Sequence, residues 1–286
     1  MGGKCRVIEE ILDPSLRRTR ITKQSFDDFR NRYMNKKIKV GTKDDGVTPV
    51  YMQLGKWWLQ QEHRRQYDTI VFAPGQEPEG AYNLWRGFAC EAKPGVCEKF
   101  LSHLHKNICN ENTEYFTYLM GWMANCVQNP ARPGGVAVVL RGRQGTGKSF
   151  FARSFGSLWG RHFLQVSDPK HLVGSFNAHL RDCIVLFGDE AFYAGDKKHE
   201  SVLKILITES TITINQKGLP TYTIPNRVNL LFFSNHSDAL RLDADDRRYC
   251  VIHCPGERKS DDYYRQLFSW TDDNAPALLH YLQNRD

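Results

Sequence analysis

The stretch GVAVVLRGRQGTGKSFFARSF (135–155) decides the fold. Residues 135–140 read as a short apolar strand, GRQGTGKS (142–149) fits GxxxxGK[ST] at every fixed position, and the apolar run that follows reads as a helix. Strand, glycine-rich loop and helix in that order make a phosphate cradle. Backbone N–H groups at a helix N-terminus point at an anion, and the helix dipole favours negative charge there. Gly142, Arg143, Gln144, Gly145, Thr146, Gly147, Lys148, Ser149 and Phe150 are therefore the expected nucleotide-binding set. In such a loop the lysine, here Lys148, brings a point charge to the β- and γ-phosphates and the Ser149 hydroxyl reaches Mg²⁺, so ATP and Mg²⁺ are the expected cofactors.

Two more apolar strands follow, and each ends in a polar residue of useful chemistry. CIVLFGDEA (183–191) closes on Asp189 and Glu190. Asp189 is the candidate for holding the metal and Glu190 the candidate base for the attacking water, a Walker B pattern. VNLLFFSN (228–235) closes on Asn235, whose amide could hold the same water from a neighbouring strand. DADDRRYCVIHC (243–254) sets Arg247 and Arg248 before a further strand. Either could act as an arginine finger on a neighbouring subunit's γ-phosphate, or pair locally with Asp243, Asp245 or Asp246. Near-continuous apolar strands of this kind belong in a parallel sheet covered on both faces, which makes residues 134–256 an α/β core.

Outside the core the pattern changes at NPARPGG (129–135), a Pro/Gly boundary. Before it, residues 97–128 carry Phe100, Leu104, Leu119, Trp122 and Met123 at helical spacing, and residues 81–133 are expected to be a helical subdomain. Residues 257–286 read as a C-terminal helical segment. Residues 1–80 form a basic N-terminal region in which Val7, Ile11, Leu16, Ile21, Phe26, Phe29 and Tyr33 suggest a loose helical spacing, broken at Pro14. Residues 1–40 hold eleven Lys or Arg against five acids, +6 of a whole-chain net charge of +7. This balance suits a polyanionic partner, although a charge run is as often a solvated face.

Of 286 residues, 41% are hydrophobic, enough for a real core. No apolar run approaches the roughly 20 residues needed to cross a bilayer, and no signal-peptide pattern opens the chain, so the cytoplasm is the expected compartment. The eight cysteines form no CxxC pair and read as reduced thiols. Cys250, His253 and Cys254 lie in an alternating segment that would send adjacent ligands to opposite faces, so packing is the better reading.

Four motifs thus stand in order: GRQGTGKS, VLFGDEA, LLFFSN and DDRRYCVI. Together they resemble a superfamily 3 helicase of the AAA+ class, and more closely the helicase domains of phage and plasmid primase-helicases related to the poxvirus type. The resemblance covers roughly residues 80–283 and includes YNLWRGF (82–88), YLMGWMANCVQNP (118–130) and HLVGSFNAHL (171–180). It implies a P-loop core with a mainly parallel sheet behind a helical collar, a hexameric ring around single-stranded DNA, and DNA replication as the setting. It also implies that a hairpin before the sensor strand carries a basic residue to the DNA backbone. TITINQKGLPTYTIPN (211–226) reads as such a hairpin, with Lys217 at its turn. A primase or polymerase part elsewhere in a longer protein is a further implication, with the host cytoplasm as the place if the chain is phage-encoded.

Two rivals are open to test. A GTPase is disfavoured by the lack of an NKxD motif, since NHSD (235–238) has no lysine, and a nucleotide kinase leaves Asn235 and the arginine pair without a role. A non-motor ATPase that clamps or loads nucleic acid fits the same motifs as a helicase motor.

Overall fold

The computed structural model of the chain describes residues 4–13, 18–168, 174–189, 197–235, 246–254 and 257–286. It divides into two units, Met1–Ile70 with Glu79–Tyr82, and Val71–Pro78 with Asn83–Asp286.

Residues 6–37 are not the helical region that their spacing suggests. β1 (Val7–Asp13) and β2 (Arg18–Gln24) pair antiparallel, Val7 opposite Gln24. A spacing of four, as between Val7 and Ile11, satisfies a strand period of two as well as a helix turn, and the β-branched Val7, Ile8, Ile11, Thr19, Ile21 and Thr22 favour the strand. Among the described residues of this stretch only α1 (Phe26–Arg32) is helical, opened by a capping box in which the Asp28 N–H donates to the Ser25 hydroxyl at 3.0 Å. A second antiparallel pair, β3 (Lys37–Thr42) and β4 (Pro49–Gln53), leads into α2 (Leu54–Leu59), whose Trp58 ring lies 5.1 Å from Phe29 of α1. The division between the units falls within β5 (Thr69–Val71) and β6 (Ala81–Asn83).

The second unit opens with α3 (Glu98–His103), which runs on as a π-helical turn Leu104–Ile108, and then α4 (Thr113–Gln128). The helical spacing of 97–128 is realised in these elements, whereas β6 and an irregular run occupy the start of the expected helical subdomain. Thereafter come β7 (Ala137–Arg141), α5 (Lys148–Ser157), β8 (Phe163–Val166), β9 (Val185–Asp189), α6 (Lys197–Thr208), β10 (Thr211–Ile214), β11 (Tyr222–Pro225), β12 (Asn229–Ser234), β13 (Tyr249–His253) and α7 (Asp261–Gln283).

Five strands form one parallel sheet in the order β13-β7-β12-β9-β8. Period-two alternation sends Val138, Leu140, Val185, Phe187, Leu231 and Phe233 to one face, where α3, α4, α5 and α7 cover them. Ala137, Val139, Leu186, Leu230 and Phe232 face the other way, under α6 and the β10/β11 hairpin. Both faces are buried, as the apolar strands require, and the core is a mixed α/β fold. No helix among the described residues is long and apolar enough to cross a membrane.

Two segments without a mechanical reading in the sequence gain one. In YNLWRGF the Trp85 ring stacks on buried His162 at 4.8 Å, and the Arg86 N–H donates to its Nε2 at 3.2 Å, tying the segment to the start of β8. In GSFNAHL, Asn177 grips the hairpin: its side-chain oxygen accepts from the Asn215 N–H at 2.7 Å and its Nδ2 donates to the Thr213 carbonyl at 2.9 Å.

Candidate active site

Parallel strands present their C-terminal ends along one edge, and the register fixes which residues meet there. Phe233 pairs with Asp189 and Ser234 with Arg141, so the strand that ends before Asn235 lies between the strand that feeds the glycine-rich loop and the strand that ends in Asp189. The Gly142 N–H donates to the Ser234 carbonyl at 3.0 Å, stitching the start of the loop to β12.

Lys148 opens α5 and is buried, 7% exposed. Its ammonium donates to the Gly142 carbonyl at 2.6 Å, the Arg143 carbonyl at 2.8 Å and the Asn235 side-chain oxygen at 3.3 Å. The sequence-expected pair Lys148 and Asn235 is thus in contact. Ser149 is exposed at the helix start, Thr146 is buried with its hydroxyl donating to the Arg143 carbonyl at 3.1 Å, and Arg143, Gln144 and Gly145 are exposed. Asp189 is half-buried at its strand end. Glu190 lies outside the described residues.

The Phe150 side chain turns away from the loop. Its ring is fully buried in the core beside Phe100, His103 and Phe268, because the second residue past the lysine turns inward on the helix. The glycines, too, have a second reason to be glycine. A Cβ on Gly142 would meet the Cys254 carbonyl oxygen at 2.2 Å, and on Gly147, whose φ is +92°, it would meet the His103 ring at 2.3 Å. At these positions the protein's own packing, as well as any approaching phosphate, excludes a side chain.

His103, Tyr263 and Tyr264 form a support that no motif announces. His103 Nε2 is 3.3 Å from the Gly147 carbonyl, which can only accept, so this nitrogen carries the proton. Nδ1 then accepts from the Tyr263 hydroxyl at 3.0 Å, and Tyr263 in turn receives the Asn107 amide at 2.8 Å. Burial pushes the His103 pKa down to about 4, which keeps the ring neutral. The Tyr264 hydroxyl donates to the Gly145 carbonyl at 2.6 Å. Two loop carbonyls are therefore held from α3 and α7.

The remaining candidates sit elsewhere. Tyr249 pairs with Ala137, so Arg247 and Arg248 lie at the opposite edge of the sheet, one strand length or roughly 16 Å from the loop. Arg248 is committed locally: its Nε and terminal nitrogen donate to the two oxygens of Asp246, each at 2.7 Å. That hydrogen bonding holds the Asp246 carboxyl below its usual range. Arg247 is exposed and has no ion pair among the described residues. Lys217 is exposed at the turn between β10 and β11. Cys250, His253 and Cys254 make no metal cluster, none being found among the described residues, and the cysteines are free thiols.

The residues fit a magnesium nucleotide: a ten-residue helix opens on a loop with two positive-φ glycines, a lysine, an exposed serine hydroxyl and a half-buried aspartate at the same edge.

A model of a family of unknown function (DUF5906) matches residues 140–248, from the end of β7 to Arg248. The DNA Primase-polymerase of Nitratiruptor phage NrS-1 is 25% identical over 185 residues, 64% of this chain and 25% of that protein. The chain thus spans about a quarter of the length of this curated relative. An apo structure of the NrS-1 C-terminal region superposes with a TM-score of 0.70 at 20% identity, covering 98% of this chain and 67% of that one. An A-form apo structure of the same region gives 0.69 at 20% identity, with the same coverage. The two chains share a fold.

Proposed function

We propose that this chain is the ATP-hydrolysing motor part of a phage DNA replication protein, related in kind to the NrS-1 primase-polymerase and driving a ring along single-stranded DNA. The observation that carries the reading is the 3.3 Å contact between Lys148 and Asn235, made on the strand that separates the glycine-rich loop from Asp189. A phosphate lysine, an amide able to hold water and a carboxylate for metal are the minimum set for hydrolysis, and three different strand ends supply them.

Bound ATP with Mg²⁺ supplies a γ-phosphoryl group for transfer to water. The loop N–H groups and Lys148 would bind and neutralise the phosphates, and the Ser149 hydroxyl and the Asp189 carboxylate would hold the metal. Glu190, next in sequence, is assigned to take the proton from water that Asn235 orients. Arg247 is the better finger of the two arginines, since Arg248 is tied to Asp246 and Arg247 is exposed at the far sheet edge, where it can serve only another copy. A site completed by a neighbour makes hydrolysis depend on assembly, which is what a ring motor needs.

The test is the steady-state ATPase rate of the whole chain with and without single-stranded DNA, over a range of protein concentrations, beside Glu190→Gln. Stimulation that grows with concentration and disappears in the variant supports the motor. Hydrolysis indifferent to DNA replaces it with an ATP-controlled clamp.

A further inference from the structure

The β3/β4 ribbon of the first unit has a face that the phosphate site does not use. Alternation puts Lys37 and Lys39 on one side of β3, and the register sets them opposite Gln53 and Tyr51, so all four side chains leave on the same face. All four are exposed, Tyr51 at 58%, whereas Ile38 and Met52 on the reverse face are half-buried. Among the described residues neither lysine has an ion-pair partner and no ring or cation stacks on Tyr51.

Charge adds to this. Residues 36–56 contain lysines 36, 37, 39, 43 and 56 against Asp44 and Asp45, five minus two, or +3. Asp45 is turned into its own loop, accepting from the Val47 N–H at 3.0 Å and the Thr48 N–H at 2.8 Å, away from the lysine pairs. A solvated strand face needs no aromatic ring. Here one stands in water directly opposite a lysine, with a second lysine about 6.6 Å along the strand.

We propose that this face binds single-stranded nucleic acid, one base stacking on Tyr51 and the flanking phosphates meeting Lys37 and Lys39. Stacking needs an unpaired base with an open face, which a duplex does not offer, and it tolerates any base. The assignment goes beyond the ATP site and needs no hydrolysis, so it stands or falls separately from the motor reading.

The experiment titrates the whole chain, without nucleotide, against fluorescein-labelled oligo-dT and a duplex of equal length at several salt concentrations. Lys217→Ala is present throughout, so that the β10/β11 turn does not contribute. Tyr51→Ala should weaken oligo-dT binding about 5- to 150-fold, the size of one base–aromatic stack. Tyr51→Phe, which keeps the ring, should bind as the parent does and shows that the fold tolerates change there. Lys37→Ala with Lys39→Ala should flatten the slope of log affinity against log salt by about 1.4, two phosphate contacts on a single strand. Parental affinity in Tyr51→Ala, an unchanged slope in the lysine pair, or duplex bound as tightly as oligo-dT would each overturn the proposal.

Discussion

Lys148 donates to the side-chain oxygen of Asn235 across 3.3 Å while two loop carbonyls accept its other protons at 2.6 and 2.8 Å. The Asn235 contact is the longest of the three, and hence the one most readily exchanged for a phosphate oxygen. Asn235→Ala should therefore leave nucleotide affinity near that of the parent and reduce turnover about 10²- to 10³-fold, the scale of one lost transition-state donor. Lys148→Ala should lose affinity itself. Fluorescent-nucleotide titration beside single-turnover hydrolysis separates the two, and equal losses of affinity would refute the division of roles.

Arg247 and Arg248 are adjacent in sequence but differ in commitment. The bidentate pair of Arg248 with Asp246 is 28% and 7% exposed at its two side chains, a partly buried ion pair whose rupture strands the aspartate. Arg248→Ala should lower the melting temperature. Arg247→Ala should leave it unchanged and cut ATPase about 10³- to 10⁵-fold. Mixing Arg247→Ala with Lys148→Ala chains should restore part of the rate, because an intact loop in one copy then meets an intact arginine from the next. Failure of the mixture to recover any activity would rule out a finger acting between copies.

The folded chain should lose stability as pH falls from 6.5 toward about 4. Burial holds both His103 and His162 down to about 4, against 6.5 for a free imidazole. In that window the unfolded chain takes up a proton at each position and the folded chain does not, so unfolding is favoured as acid is added; above 6.5 neither state is charged and the effect vanishes. Each histidine contributes about 3 kcal/mol at full extent. Melting temperatures across this range should fall less steeply in His103→Gln than in the parent, whatever their difference at neutral pH. Identical slopes would mean that His103 is not held neutral.

The site could be read from the sequence where its chemistry is local. GRQGTGKS, the aspartate after VLFG and the asparagine after LLFFS are consecutive strings at the ends of near-continuous apolar runs, and the loop motif with those runs finds all three. The order in which the strands lie side by side follows from long-range register and is not contained in any of those strings. Nor is the support behind the loop: His103 reaches Gly147 from 44 residues away and Tyr264 reaches Gly145 from 119. Phe150 continues the motif in sequence, yet its direction on α5 is set by the core, and Phe150→Ala should cost about 3–5 kcal/mol of stability through the cavity it leaves. The β1/β2 hairpin was obscured because a spacing of four serves both periods, so only β-branching pointed to strands.

Lys217 and Asn177 make the last prediction, on the hairpin. Lys217 is exposed at the turn, and Asn177 holds the β10 backbone through the Asn215 N–H and the Thr213 carbonyl. If the hairpin carries Lys217 to the DNA backbone, removing the charge and loosening its mount should act on the same output by different routes. Lys217→Ala should keep basal ATPase, lose stimulation by DNA, and lower the salt dependence of binding by about 0.7 in slope, one phosphate contact. Asn177→Ala leaves the charge in place but removes both of these hydrogen bonds, so binding should keep its salt slope while unwinding per ATP falls. Strand-displacement assays run with parallel phosphate-release measurements read that ratio directly. An unchanged ratio in Asn177→Ala would show that the mount does not transmit motion, and unwinding retained in Lys217→Ala would remove the hairpin from the motor altogether.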